Sequence, residues 1–182
     1  MGIVITGTGS YVPERILTNE DIVRMRPEGI SPENWTTVDW ILDRTGIEER
    51  HISSPEQASS DLMLPAAQKA LAMAQKTPDQ LDAIYVTYSF PDCTVPSTSD
   101  IFAKKLGAPD RTLAKDVTAQ CSGFCWALGE IWDRMRLYPA RFRTVLLVSG
   151  DATSKFVDDQ DRETFVLFGD GAGAIVLEQV EE

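Results

Sequence analysis

Short runs of β-branched and apolar residues alternate with amphipathic helical segments along this chain. The run AIYVTY (83–88) has the composition of a buried strand. Apolar residues recur mostly at helical spacing between Ser59 and Gln75, which predicts an amphipathic helix that ends before Pro78. Strands that alternate with helices predict an α/β fold, in which helices cover both faces of a mixed, largely parallel sheet.

The same patterns predict the remaining elements. Further strands are expected at residues 2–6, 112–117, 143–149 and 174–178, and further helices at residues 19–25, 38–44 and 97–106 and after Cys121. Gly46 and Gly107 would end two of these helices, while GTGS after the first strand would form a turn. The chain has 182 residues with no internal repeat or long linker, so we predict a single domain over residues 1–182.

The charge of the chain argues against several kinds of partner. A formal net charge of -11 disfavours binding to nucleic acid and a polybasic membrane anchor, because both need clustered Lys and Arg. No apolar run approaches the roughly 20 residues that span a bilayer. The N-terminus also lacks a basic leader followed by a long apolar block. We therefore expect neither nucleic acid nor membrane as a partner.

The cysteines and the single histidine argue against a disulfide framework and a metal site. Cys93, Cys121 and Cys125 form an odd and sparse set, which favours reduced thiols and a cytoplasmic location. His51 is the only histidine and there is no CxxC pair, so a zinc site has little support. The stretches GTGS and GDGAGA lack the strand-to-helix context of a dinucleotide site. We expect no metal and no resident cofactor.

Cys121 is the candidate nucleophile. The stretch TAQCSGFCWALGEIWDRM places it where a polar segment gives way to a predicted helix. Unpaired N–H groups at a helix start carry partial positive charge, which favours a thiolate and can hold an oxyanion during acyl transfer. Cys125 falls one turn inside, on or near the packed face, where a thiol is usually an inert small hydrophobe. The predicted apolar stripe of this helix comprises Phe124, Leu128, Ile131, Trp132 and Met135.

Four stretches of the sequence resemble one family. GTGSYVPE, WILDRTGIEERHI, TAQCSGF and FGDGAGAIVL are similar, in order and spacing, to the N-terminal half of 3-oxoacyl-[acyl-carrier-protein] synthase III. The resemblance extends over essentially all 182 residues. It implies a thiolase-like fold of which this chain is the N-terminal half. It also implies that Cys121 is the nucleophile and that the Cys121 N–H forms half of an oxyanion hole.

The resemblance implies a condensing acyltransferase of fatty acid or polyketide initiation. An acyl group would pass from acyl-CoA to the Cys121 sulfur, so that covalent catalysis splits one hard step into two easier ones. The carbanion from decarboxylating malonyl-acyl carrier protein would then attack the acyl-enzyme. Coenzyme A takes part as a thioester substrate rather than as a cofactor. The resemblance also implies a homodimer.

Four residues match the nucleotide-binding positions of the family. Trp40 matches a tryptophan that stacks on the CoA adenine, and a flat apolar ring suits a purine face. Arg44 and Arg162 match arginines that flank this adenine, and Thr36 matches a hydroxyl that contacts the nucleotide. Taken as single residues, Trp40 would instead be a core side chain and both arginines would be solvated charges.

Two further residues match positions around the acyl group. Phe168 matches an aromatic residue beside the acyl and decarboxylation site. Val95 matches a dimer-interface residue that closes the acyl pocket of the partner. Because SFPDCTVPS (89–97) differs from the common pattern, we expect an unusual primer, with Tyr88 and Phe90 as further pocket candidates. His51 belongs to a structural motif and has no chemical role in this assignment.

The resemblance also defines what this chain lacks. The family's mechanism needs a histidine and an asparagine from its C-terminal half, which has no counterpart here. We therefore expect a fragment, a cleavage product or a subunit that requires a complementary C-terminal half and does not condense alone. An uncovered apolar face is expected as well. The alternatives are a relative with another condensation (polyketide priming, head-to-head acyl condensation or hydroxymethylglutaryl-CoA synthesis) and a non-catalytic thiolase-fold subunit.

Overall fold

Residues 2–181, which the computed structural model describes, form seven strands and five α-helices. The strands are β1 (Gly2–Tyr11), β2 (Arg15–Thr18), β3 (Glu49–Ile52), β4 (Ala83–Thr87), β5 (Leu113–Val117), β6 (Thr144–Asp151) and β7 (Gly171–Val180). The helices are α1 (Asn19–Arg24), α2 (Val38–Thr45), α3 (Ser59–Ala74), α4 (Thr98–Leu106) and α5 (Gly123–Leu137).

A five-stranded mixed sheet forms the centre of the fold, as the sequence predicts. Its strand order is β1-β7-β6-β4-β5. The β1–β7 and β7–β6 pairs are antiparallel, whereas β4 lies parallel to both β6 and β5. The sheet is therefore only half parallel, which corrects the expectation of a largely parallel sheet. β2 and β3 form a separate antiparallel pair that the sequence analysis missed.

Helices cover both faces of this sheet. Alternate side chains of a strand point to opposite faces, so Ile84 and Val86 of β4 pack under α3 and α4, while Ala83 and Tyr85 pack under α5. The first face also buries Phe102 of α4. Because both faces are covered, every residue of β4 is buried. The predicted α/β architecture is confirmed.

Strand β1 is longer than predicted, because GTGS continues the strand instead of forming a turn. A register irregularity between Ile5 and Gly7 lets the pairing with β7 resume through Tyr11. A Cβ atom added at Gly7 or Gly9 would lie 2.0 or 2.1 Å from a carbonyl oxygen of α3. These two glycines therefore allow α3 to lie directly on β1. As an edge strand, β1 leaves Val4 exposed.

Local capping explains where the predicted helices begin and end. The Thr18 hydroxyl accepts a hydrogen bond from the Asp21 N–H at the start of α1, and Thr37 does the same for Trp40 in α2 at 3.1 Å. Ser97 caps α4. Gly46 ends α2 in the left-handed region at φ 69°, where glycine carries no steric cost. These four boundaries were all close to those that the sequence predicts.

Candidate active site

Cys121 lies at the carboxyl edge of the sheet. Strand β5 ends at Val117, and a 3₁₀ turn from Gln120 to Ser122 follows directly before α5. The helix itself begins at Gly123, so Cys121 precedes it by two residues instead of opening it. The Cys121 side chain is exposed. Ligand sites in parallel sheets lie outside the carboxyl ends of the strands, and Cys121 occupies such a place.

The residue before Cys121 has a strained backbone. Gln120 adopts φ 44°, a left-handed conformation that costs a non-glycine residue about 1–3 kcal/mol. Strain of this kind occurs at active sites, where surrounding structure holds it in place. The strained residue therefore lies directly before the exposed Cys121.

The backbone N–H of Cys121 is free in the described residues. The Ser122 N–H donates to the Ala119 carbonyl at 3.1 Å, and the Gly123 N–H donates to the Gln120 carbonyl. No hydrogen bond from the Cys121 N–H is found among residues 2–181. A free N–H beside an exposed thiol is the arrangement that stabilises an oxyanion during acyl transfer.

Gly123 fits α5 closely against the carboxyl edge of the sheet. A Cβ atom at this position would lie 3.2 Å from the Thr87 Cβ and 3.4 Å from the Val117 carbonyl oxygen. The helix start therefore lies against the ends of both β4 and β5. This contact fixes the turn that carries Cys121 relative to two neighbouring strands.

Cys125 is exposed, which corrects the expectation that it is packed. It borders an open cavity of about 710 Å³ along the outer face of α5. Trp126 on the same face is 69% exposed. Trp132, which the sequence placed on the packed stripe, is 44% exposed. Only Ile131 and Met135 of the five stripe residues are fully buried, so the packed stripe is narrower than predicted.

The structure brings Trp40, Arg44 and Arg162 together. The guanidinium carbon of Arg162 lies 5.2 Å from the Trp40 ring centroid, and that of Arg44 lies 5.9 Å from it. Arg162 is held by a 3.0 Å hydrogen bond from its Nη1 to the Trp35 carbonyl. This cluster is built from parts of the chain about 120 residues apart. It combines a flat ring with two cations on one surface.

Thr36 adjoins this cluster but is buried. Only 2% of its surface is exposed, and its hydroxyl oxygen lies 3.5 Å from the Thr37 carbonyl oxygen. A buried hydroxyl offers little surface to a ligand, so Thr36 contributes to a nucleotide site only if the neighbouring backbone moves. Its assignment stays a prediction.

Phe168 and Val95 are both exposed. Phe168 follows a 3₁₀ turn (Phe165–Leu167) and precedes the GDGAG stretch. Val95 lies in the loop between β4 and α4 and is 82% exposed. The hydrogen bonds, ion pairs and ring contacts within residues 2–181 join neither residue to Cys121 or to the Trp40 cluster. Their roles at an acyl site remain predictions.

One buried aspartate, which the sequence analysis missed, organises the surrounding turns. Asp170 of GDGAG accepts hydrogen bonds from the N–H and hydroxyl groups of Ser53 and Ser154, at 2.6–2.8 Å. It joins the end of β3, the segment after β6 and the start of β7. The sequence signal for this residue was a single Asp directly before an apolar strand. A carboxylate that is buried at such a position needs several hydrogen-bond donors, so the signal indicates contacts of this kind.

Comparisons with known proteins agree with this geometry. A family model described as 3-Oxoacyl-[acyl-carrier-protein (ACP)] synthase III matches residues 115–182. The crystal structure of 3-oxoacyl-[acyl-carrier-protein] synthase III from Aquifex aeolicus matches this chain with 37% sequence identity and a TM-score of 0.88. The match covers 100% of this chain and 55% of the Aquifex chain. The enzyme of the same name from Pseudomonas aeruginosa matches with 35% sequence identity and a TM-score of 0.86. This match covers 100% of the present chain and 53% of the Pseudomonas chain.

The chain belongs to the 3-oxoacyl-[acyl-carrier-protein] synthase III family. It spans about half the length of the synthase III structures that it matches. A priming β-ketosynthase from a polyketide biosynthetic pathway is also similar, at 31% identity and a TM-score of 0.87 over 99% of this chain and 51% of its own. The thiolase-like fold predicted from the sequence is thereby confirmed.

Three further findings describe this synthase III-family chain. None of the helices within residues 2–181 combines the length and apolar composition that crossing a bilayer requires. In the same residues, no group of three or more His, Cys, Asp or Glu side chains is arranged to hold a metal ion. The family residue His51 lies with its Nδ1 atom 2.6 Å from the Pro13 carbonyl oxygen, a contact that ties β3 to the segment after β1.

Proposed function

We propose that this chain provides the acylated half of a synthase III-type condensing enzyme of fatty acid or polyketide initiation. The observation that supports this most directly is the exposed Cys121 thiol beside an unbonded N–H, in a strained turn at the carboxyl edge of the sheet. An exposed nucleophile next to an oxyanion donor suits acyl transfer.

The proposed reaction has two steps. In the first, the Cys121 thiolate attacks the thioester carbonyl of acyl-CoA, a new C–S bond forms, and coenzyme A leaves as its thiol after taking up a proton. In the second, malonyl-acyl carrier protein loses carbon dioxide, and its carbanion attacks the acyl-enzyme. A C–C bond forms and the Cys121 sulfur is released. The Cys121 N–H stabilises the oxyanion of both tetrahedral intermediates.

The Trp40 cluster is the proposed site of the CoA nucleotide. The ring of Trp40 offers a stacking surface for adenine, and Arg44 and Arg162 offer positive charge to the phosphates. Thr36 is assigned to the same nucleotide and Phe168 to the acyl site. Val95 is assigned to a subunit interface, where its 82% exposure leaves its side chain available to a partner.

The proposed partners are a second copy of the subunit and a polypeptide that supplies the histidine and asparagine for decarboxylation. Both edges of the sheet, β1 and β5, lack a neighbouring strand in the described chain, so each can extend the sheet. The exposed face of α5 is the proposed contact with the complementary half. We place the enzyme in the cytoplasm, where reduced thiols persist.

Intact-mass spectrometry after incubation with acyl-CoA tests this function. We expect wild-type protein to gain one acyl group from acetyl- or butyryl-CoA, Cys121→Ala to gain none, and Cys125→Ala to behave like wild type. Cys125 is the matched control, because it is also exposed and lies four residues away. An adduct that persists in Cys121→Ala would refute the assignment.

Similarity to the priming β-ketosynthase favours polyketide priming as a second candidate function. Both candidates use the same thiol, so they differ in the acyl group that is accepted. Acylation rates measured over a series from acetyl- to octanoyl-CoA distinguish them: a preference for the shortest chain favours fatty acid initiation, and a preference for longer chains favours priming. If no acyl-CoA reacts even with a complementary polypeptide present, the subunit is non-catalytic.

A further inference from the structure

The loop that joins β4 to α4 leaves the sheet at the same edge as Cys121. Strands β5, β4 and β6 are neighbours and run parallel, so their carboxyl ends meet at one edge of the sheet. Cys121 follows β5, the loop from Ser89 to Pro96 follows β4, and Asp151 ends β6. Topology therefore places the thiol, the loop and the aspartate at one edge.

Asp151 binds the backbone of this loop at its first two residues. Its Oδ1 accepts hydrogen bonds from the Ser89 N–H at 2.8 Å and from the Phe90 N–H at 2.9 Å, and its Oδ2 lies 3.0 Å from the Ser89 nitrogen. Every hydrogen bond found for this carboxylate in the described residues goes to the loop. Bonds of an ionised acceptor to N–H groups are about twice as strong as neutral ones.

The middle of the loop is held by a second aspartate. Asp92 Oδ1 accepts a hydrogen bond from the Ser60 N–H at 3.0 Å, and the Asp92 N–H donates to the Thr98 hydroxyl at 3.1 Å. Lys105 Nζ lies 4.0 Å from Asp92 Oδ2. Beyond Asp92, the Cys93 thiol donates to the Pro96 carbonyl at 3.6 Å within the loop, and the exposed tip carries Val95. The position of this tip is therefore determined by the anchors at Asp151 and Asp92.

Phe90, whose N–H binds Asp151, also makes an aromatic contact. The Phe90 ring stacks on Phe156 with centroids 4.2 Å apart and an interplanar angle of 4°. Phe156 belongs to the segment that continues from β6 toward Arg162. Burial raises the pKa of Asp151, with hydrogen bonds from Phe90 and Ser89 acting in the opposite direction. Burial of this carboxylate therefore carries a desolvation cost, and its hydrogen bonds go to the loop.

We propose that Asp151 is a positioning residue that holds the Ser89–Pro96 loop, and that the held loop determines which acyl chain lengths reach Cys121. This inference rests on the proposed function, because chain length is read out as acylation of Cys121. Without the Asp151 anchor, the loop has no fixed start and Phe90 loses its fixed position opposite Phe156. The site then accepts acyl groups with less discrimination.

Two measurements on the purified chain, with any polypeptide that co-purifies, test this inference. The first is hydrogen–deuterium exchange of peptides that cover residues 89–96. The second is the rate of Cys121 acylation by acetyl-, butyryl-, hexanoyl- and octanoyl-CoA. The variants are Asp151→Ala, which removes both acceptor oxygens, and Asp151→Asn, which keeps one. Asp110→Ala is the control, because Asp110 is an exposed aspartate in the turn after α4.

For Asp151→Ala we expect about tenfold faster exchange of the loop amides, because two charge-assisted hydrogen bonds are lost. The ratio between the fastest and slowest acylation rates should fall by about tenfold as well. Asp151→Asn should show about threefold changes, since one oxygen still accepts. Asp110→Ala should match wild type in both measurements. If Asp151→Ala does not fold, the same two measurements on the isosteric variant Asp151→Asn test the inference.

The outcomes separate this inference from the proposed function. Faster exchange with an unchanged ratio of acylation rates overturns the role in selectivity, while the proposed function stands. Unchanged exchange overturns the anchor itself. If wild-type protein forms no adduct with any of the four acyl-CoAs, the proposed function fails, and the role in selectivity fails with it. The inference is supported if amide exchange of the loop becomes faster and the ratio of acylation rates falls, with smaller effects in Asp151→Asn than in Asp151→Ala.

Discussion

At the residue scale, the Trp40 ring is the surface on which a purine would rest. Two guanidinium groups lie within 6 Å of one indole only because residue 162 is brought back beside α2. In the absence of nucleotide, these cations are attracted to the ring face. In the proposed site, the phosphates of a bound nucleotide would attract the arginines instead, and the ring would stack on the adenine.

We expect Trp40→Ala to weaken CoA binding by about tenfold or more, since stacking of a base on an aromatic side chain contributes about 1–3 kcal/mol. Isothermal titration calorimetry with coenzyme A measures this effect. Tyr138→Ala is the control, because Tyr138 is an exposed aromatic residue at the end of α5. Equal affinities for wild type and Trp40→Ala would remove Trp40 from the nucleotide site.

Two tyrosines predict how stability depends on alkaline pH. Burial raises the pKa of Tyr85 to about 12, and burial together with a hydrogen bond to Asp116 raises the pKa of Tyr88 to about 12. An unfolded tyrosine ionises near its ordinary value of 10.0, so above this pH the unfolded chain has lost protons that the folded chain retains. The free energy of unfolding therefore falls between pH 10 and about 12.

Urea unfolding at several pH values checks this expectation. The midpoint should be nearly constant from pH 8 to pH 9 and should then decrease steeply through pH 11, as expected for groups with an ordinary pKa of about 10. In Tyr88→Phe the decrease should be shallower, since one of the two titrating groups is gone. A slope that is the same in both proteins would contradict the assignment to Tyr88.

The residue-scale predictions from the sequence succeeded where the signal was local. The change from polar to apolar residues located Cys121 at the start of a helix, although the 3₁₀ turn was not foreseen. Cys125 was misplaced because the packed stripe is defined by Ile131 and Met135, and one position along a helix rotates a side chain by about 100°. Asp151 could not be identified, because its partners lie 61 and 62 residues away.

At the scale of elements, the contact of β1 with α3 depends on Gly7 and Gly9, which have no side chain. Gly9→Ala places a Cβ atom 2.1 Å from the Ala66 carbonyl oxygen, a clash with backbone that only a shift of the helix relieves. We expect a loss of about 3 kcal/mol in the free energy of unfolding. Chemical denaturation followed by circular dichroism measures it.

Gly129→Ala is the matched control for this substitution. Gly129 lies inside α5, and an added Cβ atom there meets nothing within 4 Å. Alanine in an exposed helix interior is more favourable than glycine by about 0.5–1 kcal/mol. The two Gly→Ala variants should therefore shift stability in opposite directions. Equal shifts in the free energy of unfolding would show that the close approach of β1 to α3 does not contribute to stability.

The elements that the sequence predicted share strong local signals. Helices α2 and α4 have a polar cap and a terminal glycine, and β4 is a continuous apolar run. The β2–β3 pair was missed because each strand has four residues, with charged side chains such as Arg15 and Glu49 among them. The GTGS segment was read as a turn because its glycines favour turns locally, whereas here they serve a tertiary contact with α3.

At the scale of the whole molecule, exposed aromatic and apolar side chains on two sides of α5 predict association. Trp126, Trp132 and Leu137 are all exposed on one helix, and exposed apolar patches of this kind normally contact another protein. We expect the purified chain to self-associate or to co-purify with a second polypeptide. Sedimentation velocity at several concentrations distinguishes these states from a monomer.

The double substitution Trp126→Glu with Trp132→Glu should shift the chain toward a monomer, because charges at these exposed positions of α5 oppose burial in an interface. An exposed surface control is Asp133→Asn, which leaves both tryptophans in place. A wild-type chain that sediments as one monomeric species at all concentrations would contradict the prediction. Co-purification of a polypeptide of similar length would fit the half-length match to the family.

The pairing of β1 with β7 has a consequence for biosynthesis. Gly2 pairs with Val180, so β1 can meet its hydrogen-bonding neighbour only after the residues between them have been synthesised. Until then β1 can gain contacts only from α3, which emerges much earlier. Pairings between residues so distant in sequence form slowly. Strand β1 therefore remains without its pairing strand during most of the synthesis of this region.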